Sequence, residues 1–74
     1  RIAVISKWRK QRAGTAIMEA LLDEARLRGY QQVDVDAQTH AVAFYHRFGL
    51  TEYGEEFIDA GLPHIKMKLT LLPR

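Results

Sequence analysis

Arg9-Lys10-Gln11-Arg12-Ala13-Gly14 sets three basic side chains just ahead of a glycine. Such a run can do chemistry if it opens a helix, because the first helical turn offers up to about four unpaired backbone NH groups and the positive end of the aligned peptide dipoles. A pyrophosphate is the natural guest, and Gly14 lets the main chain approach it where a side chain would obstruct. The surrounding charge agrees. Arg1, Lys7, Arg9, Lys10 and Arg12 all precede the first acid, Glu19, so a net charge of only +2 conceals a local basic patch. A solvated basic loop has the same composition, and charge by itself does not separate the two. Neither G-x-G-x-x-G nor G-x-x-x-x-G-K followed by Ser or Thr occurs, which disfavours Rossmann cofactors and P-loop phosphoryl transfer.

The other titratable residues point less sharply. His40, His46 and His64 show no ligand spacing, with His40 and His46 on different faces of one helix, so all three read as surface histidines and no metal is expected. Asp34 and Asp36 share one face of a strand and read as its solvated side. Glu55 and Glu56 would blunt a strand edge, and Trp8 packs either against the end of the sheet or beside a cofactor.

The elements that must hold these residues follow from periodicity. Ile2-Ala3-Val4-Ile5 is a short apolar run, expected as a strand buried on both faces. From Gly14, residues Ile17, Met18, Leu21, Leu22 and Ala25 recur on one side of an amphipathic helix that Gly29 ends. Gln32 to Ala37 alternates with period two, putting Val33, Val35 and Ala37 together. Strand, helix, strand over this length is a right-handed βαβ unit with parallel strands. A second helix is expected from about Thr39, as N-cap, to Phe48, with Gly49 as terminator. The tail reads as a hairpin: Glu52 to Ile58, a loop from Asp59 to His64, then Ile65 to Leu71. The order β-α-β-α-β-β makes an α+β fold with a mixed sheet.

Three stretches together resemble a known family. Arg1-Ile2-Ala3-Val4-Ile5, Arg9 to Gly14 and Ala16 to Leu22 look like motif A of the GNAT N-acetyltransferases, whose pattern is Arg or Gln, two residues, Gly, one residue, Gly or Ala; Arg12 stands at its first glycine. Gln38, Ala41, Phe44, Tyr45, Gly49 and Leu50 resemble motif B, with Gln38 for Asn and Leu50 for Phe. The stretch from Gly54 to Met67 looks most like the ElaA-type branch. The resemblance implies the second half of one GNAT domain, residues 1–74, with the N-terminal half absent.

What the resemblance implies for function is transfer of an acetyl group from acetyl-CoA to a primary amine, by direct attack on the thioester. Backbone groups of the Ile2-Ala3-Val4 strand would bond the acetyl carbonyl and pantetheine amides. Arg9, Lys10, Gln11, Arg12, Ala13, Gly14 and Thr15 would hold the pyrophosphate, while Gln38 and Phe44 would contact the pantetheine region. Tyr45 would be the general acid: a departing thiolate of pKa roughly 8.5 lies only about 1.5 units below a phenol. The competing reading packs Tyr45 beside Phe44 and Phe48. The resemblance leaves His64, beside Pro63, either at the mouth of the active site or stabilising a turn. No acid in the chain clearly fits the role of general base, which is expected either just before Arg1 or from ordered water.

Composition narrows the alternatives. Seventy-four residues, 47% hydrophobic, allow one domain, and the absence of cysteine removes disulfides and zinc ribbons. No apolar run approaches the roughly 20 residues of a membrane span, so a cytoplasmic setting is expected. A non-catalytic acyl-CoA-binding or regulatory module is the main alternative. Nucleic-acid binding is disfavoured because the basic residues cluster at the start and not along the helices. The expected partners are an amine acceptor and either a second copy or a complementing N-terminal segment, with no membrane and no nucleic acid. An apolar strand at Ile2 to Ile5 without a second neighbour leaves an open edge. Sedimentation of the 74-residue chain should therefore reveal a dimer or an unfolded species, and a monomer that melts cooperatively would overturn that expectation.

Overall fold

The alternation at Val33, Val35 and Ala37 becomes strand β2 (Gln32–Gln38), whose residues alternate between half-buried and buried along its length. The computed structural model describes residues 2–5 and 14–71. Within them, the chain runs β1 (Ile2–Ile5), α1 (Gly14–Leu27), β2, a 3-10 turn (Thr39–Ala41), α2 (Val42–His46), β3 (Thr51–Asp59) and β4 (Leu62–Thr70). This is the expected order and a mixed α+β sheet. The strands lie in the order β1-β2-β4-β3, with β1 parallel to β2 and the other neighbours antiparallel.

Both helices cover one face of that sheet. Met18, Leu22 and Ala25 of α1 join Val33, Val35 and Ala37 of β2, Ala41 and Tyr45 from the second helical segment, and Leu50, Met67 and Leu71 in one core. Met18, Leu50 and Met67 are fully buried, and each contributes about 1.5–3 kcal/mol on leaving water. The register explains the sharing: Val33, Val35 and Ala37 stand opposite Leu69, Met67 and Ile65, so all six side chains point to the helices.

Each helix ends in the same way. Tyr30 N–H donates to the Ala25 carbonyl and Gly29 N–H to that of Arg26; Leu50 N–H and Gly49 N–H repeat the pattern on Tyr45 and His46. These are Schellman motifs, which require a left-handed residue after the helix. Gly49 supplies it at φ 93°, and a Cβ there would lie 3.3 Å from Leu69 Cδ1.

Several expectations need correction. The first strand is not buried on both faces: Ile2 and Val4 are 54% and 65% exposed, because the helices cover only the opposite side. The second helix is not continuous from Thr39 to Phe48, and Thr39 is not its cap. Gln38 is still extended and makes no side-chain cap, so the chain enters through a 3-10 turn before the five α-helical residues. The six-residue loop from Asp59 to His64 is a two-residue turn, since Asp59 pairs with Leu62. Ala60 and Gly61 both have positive φ, at 54° and 78°, as a type I′ hairpin turn requires. His64 therefore lies within β4 and is buried, not on the surface. In β3 the register shifts between Tyr53 and Phe57, with Gly54 at φ 79° inside the bulge.

Two substitutions test these backbone assignments by chemical denaturation. Gly49→Ala should destabilise the fold by about 1–2 kcal/mol, the cost of a left-handed alanine, with the contact to Leu69 adding to it. Ala60→Asn should stabilise it by about 0.5–1 kcal/mol, since asparagine tolerates that conformation.

Candidate functional site

The parallel pair β1–β2 and the start of α1 define one end of the sheet. Ile2, Ala3, Val4 and Ile5 stand opposite Gln32, Val33, Asp34 and Val35, and β2 then runs on through Asp36 to Gln38. Because β1 and β2 run parallel with α1 between them in the chain, the helix runs back against the strands and its N-terminus, at Gly14, falls at this same end. Gly14 is buried there and Thr15 is exposed. Arg9, Lys10, Gln11, Arg12 and Ala13 lie outside the described residues.

This geometry offers an extended ligand a strand edge and, beyond it, a helix N-terminus suited to an anionic group. Strand β1 ends the sheet among the described residues, so alternate main-chain groups face away from β2, as they do along any strand edge. The fourteen-residue α1 presents its first-turn NH groups beyond the strand. Gln38 closes β2, and its Oε1 accepts a hydrogen bond from His40 Nε2.

Tyr45 lies on the helix side of the sheet. It is 3% exposed within the core, and its ring meets that of Phe44 edge-on at 5.3 Å, while Phe44 meets Phe48 at 5.1 Å. The packing anticipated as the competing reading is therefore real, and it is compatible with a role for the hydroxyl. Burial pushes the phenol pKa up, which keeps the proton on the oxygen throughout the neutral range.

The opposite face holds residues that periodicity did not single out. Tyr53 O–H donates to Asp34 Oδ2 at 2.6 Å, and Gln32 Nε2 donates to Asp34 Oδ1 at 2.6 Å. Asp34 and Asp36 are half-buried here, not merely solvated. Lys66 Nζ lies 3.2 Å from Asp36 Oδ1 and 5.3 Å from the centre of the Phe57 ring; Lys68 Nζ sits 5.0 Å from that of Tyr53. His64, 6% exposed, stacks on Phe57 at 5.7 Å, and its Nδ1 lies 2.8 Å from the Leu62 carbonyl oxygen. Tyr53 and Phe57 fall on either side of the bulge, which sets them opposite Lys66 and His64.

His40 and His46 are exposed, as expected. His46 Nε2 contacts Glu52 Oε1 at 2.6 Å, a hydrogen bond that holds the Glu52 carboxyl below its usual range. Among the described residues, no three His, Cys, Asp or Glu side chains gather as metal ligands. None of the described helices is long and apolar enough to cross a membrane.

Comparison with known proteins gives consistent findings. The family model described as an acetyltransferase (GNAT) domain matches residues 1–71. The uncharacterized N-acetyltransferase YjcF of Bacillus subtilis is 41% identical over 68 residues, which cover 90% of this chain and 49% of that protein. A crystal structure of an acyl-CoA N-acyltransferase from Pseudomonas aeruginosa superposes with a TM-score of 0.76 at 31% identity, over 90% of this chain and 49% of that one. A putative N-acetyltransferase from Lactobacillus plantarum, 19% identical, shares the fold with the same TM-score over 93% of this chain and 53% of its own. The chain spans about half the length of the relatives it matches.

The Tyr53–Asp34 bond has a measurable signature. Its hydrogen bond to Asp34, with burial and the negative charge nearby, pushes the Tyr53 phenol up to about 12. Because the folded value exceeds the ordinary phenol pKa of about 10, this contribution to stability is complete below about pH 10 and fades as pH rises through about 12. Absorbance titration should show a late-titrating phenolate for Tyr53 besides the raised one of Tyr45, and Asp34→Asn should return the Tyr53 phenol toward the ordinary value while leaving that of Tyr45 raised.

Proposed function

The chain belongs to the GNAT acetyltransferase family, and from that premise we propose that it carries the cofactor-binding half of an N-acetyltransferase that uses acetyl-CoA to acetylate a primary amine. The observation that carries this reading is the convergence of the β1–β2 pair, Gln38 and the N-terminus of α1 at one end of the sheet. Ligands of open sheets with parallel strands bind beyond the strands' carboxyl ends, where helix N-termini gather.

In this reading the main chain of Ile2, Ala3 and Val4 binds the acyl and pantetheine groups, with Gln38 and Phe44 beside them. The pyrophosphate falls to Gly14 and Thr15 together with Arg9, Lys10, Gln11, Arg12 and Ala13. Acetyl-CoA, when bound, supplies an acyl group activated as a thioester. Tyr45 serves as general acid, giving its phenolic proton to the departing sulfur. Burial raises the phenol pKa, and a thiolate released into the same apolar surroundings is raised in the same sense, so the transfer stays close to balanced. The neutral phenol also adds no charge to the core it occupies.

The amine acceptor enters from the opposite face, and a complementing N-terminal segment or a second copy completes its site. The relatives' length supports a further segment, since this chain corresponds to 49% of YjcF.

Tyr45→Phe separates catalysis from packing. The expected result is a fall in the rate of acetyl transfer of about 10²- to 10⁴-fold, with acetyl-CoA affinity by calorimetry unchanged. Binding without transfer in both forms would identify a non-catalytic acyl-CoA module. Loss of binding and of folding together would make Tyr45 a packing residue alone.

A further inference from the structure

His64 is the buried histidine of the chain, and its two ring nitrogens are in different situations. Nδ1 lies 2.8 Å from the Leu62 carbonyl oxygen, which can only accept, so Nδ1 must carry a proton in every charge state of the ring. In the neutral ring Nε2 then holds the lone pair. It has no hydrogen-bond partner among the described residues, although the residue is only 6% exposed. Buried polar atoms are nearly always paired, and an exception calls for a reason.

Its position supplies the reason. His64 stands opposite Gln38, the last residue of β2, at the end of the sheet where β1 finishes and α1 begins. Along β4 it shares a face with Lys66 and Lys68, while Tyr45 lies among the helices on the other side. Phe57 of β3 stacks on the ring at 5.7 Å and 30°, fixing its plane. The charged groups around it largely compensate: Lys66 of its own strand lies between Asp36 of β2 and Phe57 of β3, and His40 follows beyond Gln38.

We propose that His64 is the general base for the amine acceptor, its Nε2 taking the proton from the incoming ammonium on the sheet face opposite Tyr45. The inference rests on the acetyltransferase reading and names the group that reading lacks. An alkylammonium with a pKa near 10 is almost wholly charged at neutral pH and has no lone pair to attack with. Nε2 accepts one proton and the ring becomes an imidazolium, which later loses that proton to solvent. The freed nitrogen forms the C–N bond as the C–S bond breaks. Tyr45 protonates the sulfur and is recharged by the second proton, which the nitrogen releases as the amide forms. One amide, one thiol and one solvent proton result. The Leu62 carbonyl, by holding Nδ1–H, keeps the receiving lone pair on Nε2 and stabilises the cation that forms.

Two measurements test this. With 15N-labelled histidine, multiple-bond NMR of the chain should show the His64 proton on Nδ1 in the neutral ring; a proton on Nε2 overturns the assignment without any turnover being measured. Acetyl transfer from acetyl-CoA to n-propylamine then reads the chemistry in His64→Asn, which retains a donor for Leu62, and in His64→Gln as a second variant. The expected loss in kcat/KM is about 10²-fold or more near pH 7. It should shrink toward pH 10 as the free amine becomes abundant, with acetyl-CoA affinity unchanged. A wild-type chain that transfers while both variants match it, or lose the same factor at every pH, overturns the base and leaves the acetyltransferase reading intact. A wild-type chain that binds acetyl-CoA without transferring defeats the acetyltransferase reading, and the base with it.

Discussion

Strand β2 carries two obligations on one backbone, and the rest of the structure depends on both being met. Val33, Val35 and Ala37 must face the helices, which leaves Gln32, Asp34, Asp36 and Gln38 to face the other way. A slip of one residue against β4 would exchange the sets, burying two carboxylates under α1 and exposing the core valines. Register is therefore strongly specified. With it comes the placement of everything else: Met67 opposite Val35 in the core, Lys66 opposite Asp36 outside it, and His64 opposite Gln38 at the end of the strand.

The polar face is held together by matched groups more than by burial. Asp34 is half-buried and takes donors from both Gln32 and Tyr53, which offsets much of what its carboxylate loses in leaving water. Lys66 pairs with Asp36, and Lys66 and Lys68 lie over the rings of Phe57 and Tyr53. The bulge in β3 is what makes this possible. Two extra residues between Tyr53 and Phe57 let both rings sit over the lysines of β4, while Glu55 and Glu56 remain exposed along the sheet edge.

Local rules account for the parts of this architecture that were legible in the sequence. The helix stripe at Met18, Leu22 and Ala25, the alternation of β2 and the two helix-ending glycines each depend on neighbours within a few residues. What escaped was set by partners distant along the chain. The Tyr53–Asp34 bond joins residues 19 apart across a strand that lies between them. The tight turn at Ala60–Gly61 lacks the Asn-Gly or Asp-Gly pair that usually announces a type I′ turn, so the sequence suggests a loop as far as His64 where the ladder places that residue opposite Gln38. The βαβ unit and its end of the sheet were predictable for the same local reasons as the helix. The basic residues Arg9, Lys10 and Arg12 lie outside the described residues, so Gly14 and Thr15 represent that motif among the described ones.

Strand β1 is held in a different way from β2 and β4. Of its described side chains, Ala3 packs against the core, whereas Ile2 and Val4 are more than half exposed. Its attachment thus relies heavily on main-chain pairing with β2 over four residues. Segments with few buried apolar contacts open at lower free energy than the body of a fold. The strand proposed to grip the thioester arm is therefore one whose described side chains lean little on the core, so that its order depends much on what bonds its main chain. A ligand that pairs with β1 and with the first turn of α1 binds only when both are formed, so its binding free energy adds to the stability of that βαβ end. The core under β2 can meanwhile keep Tyr45 and His64 on opposite faces without help from the ligand, because Val33, Val35, Ala37 and Met67 set the positions of their elements.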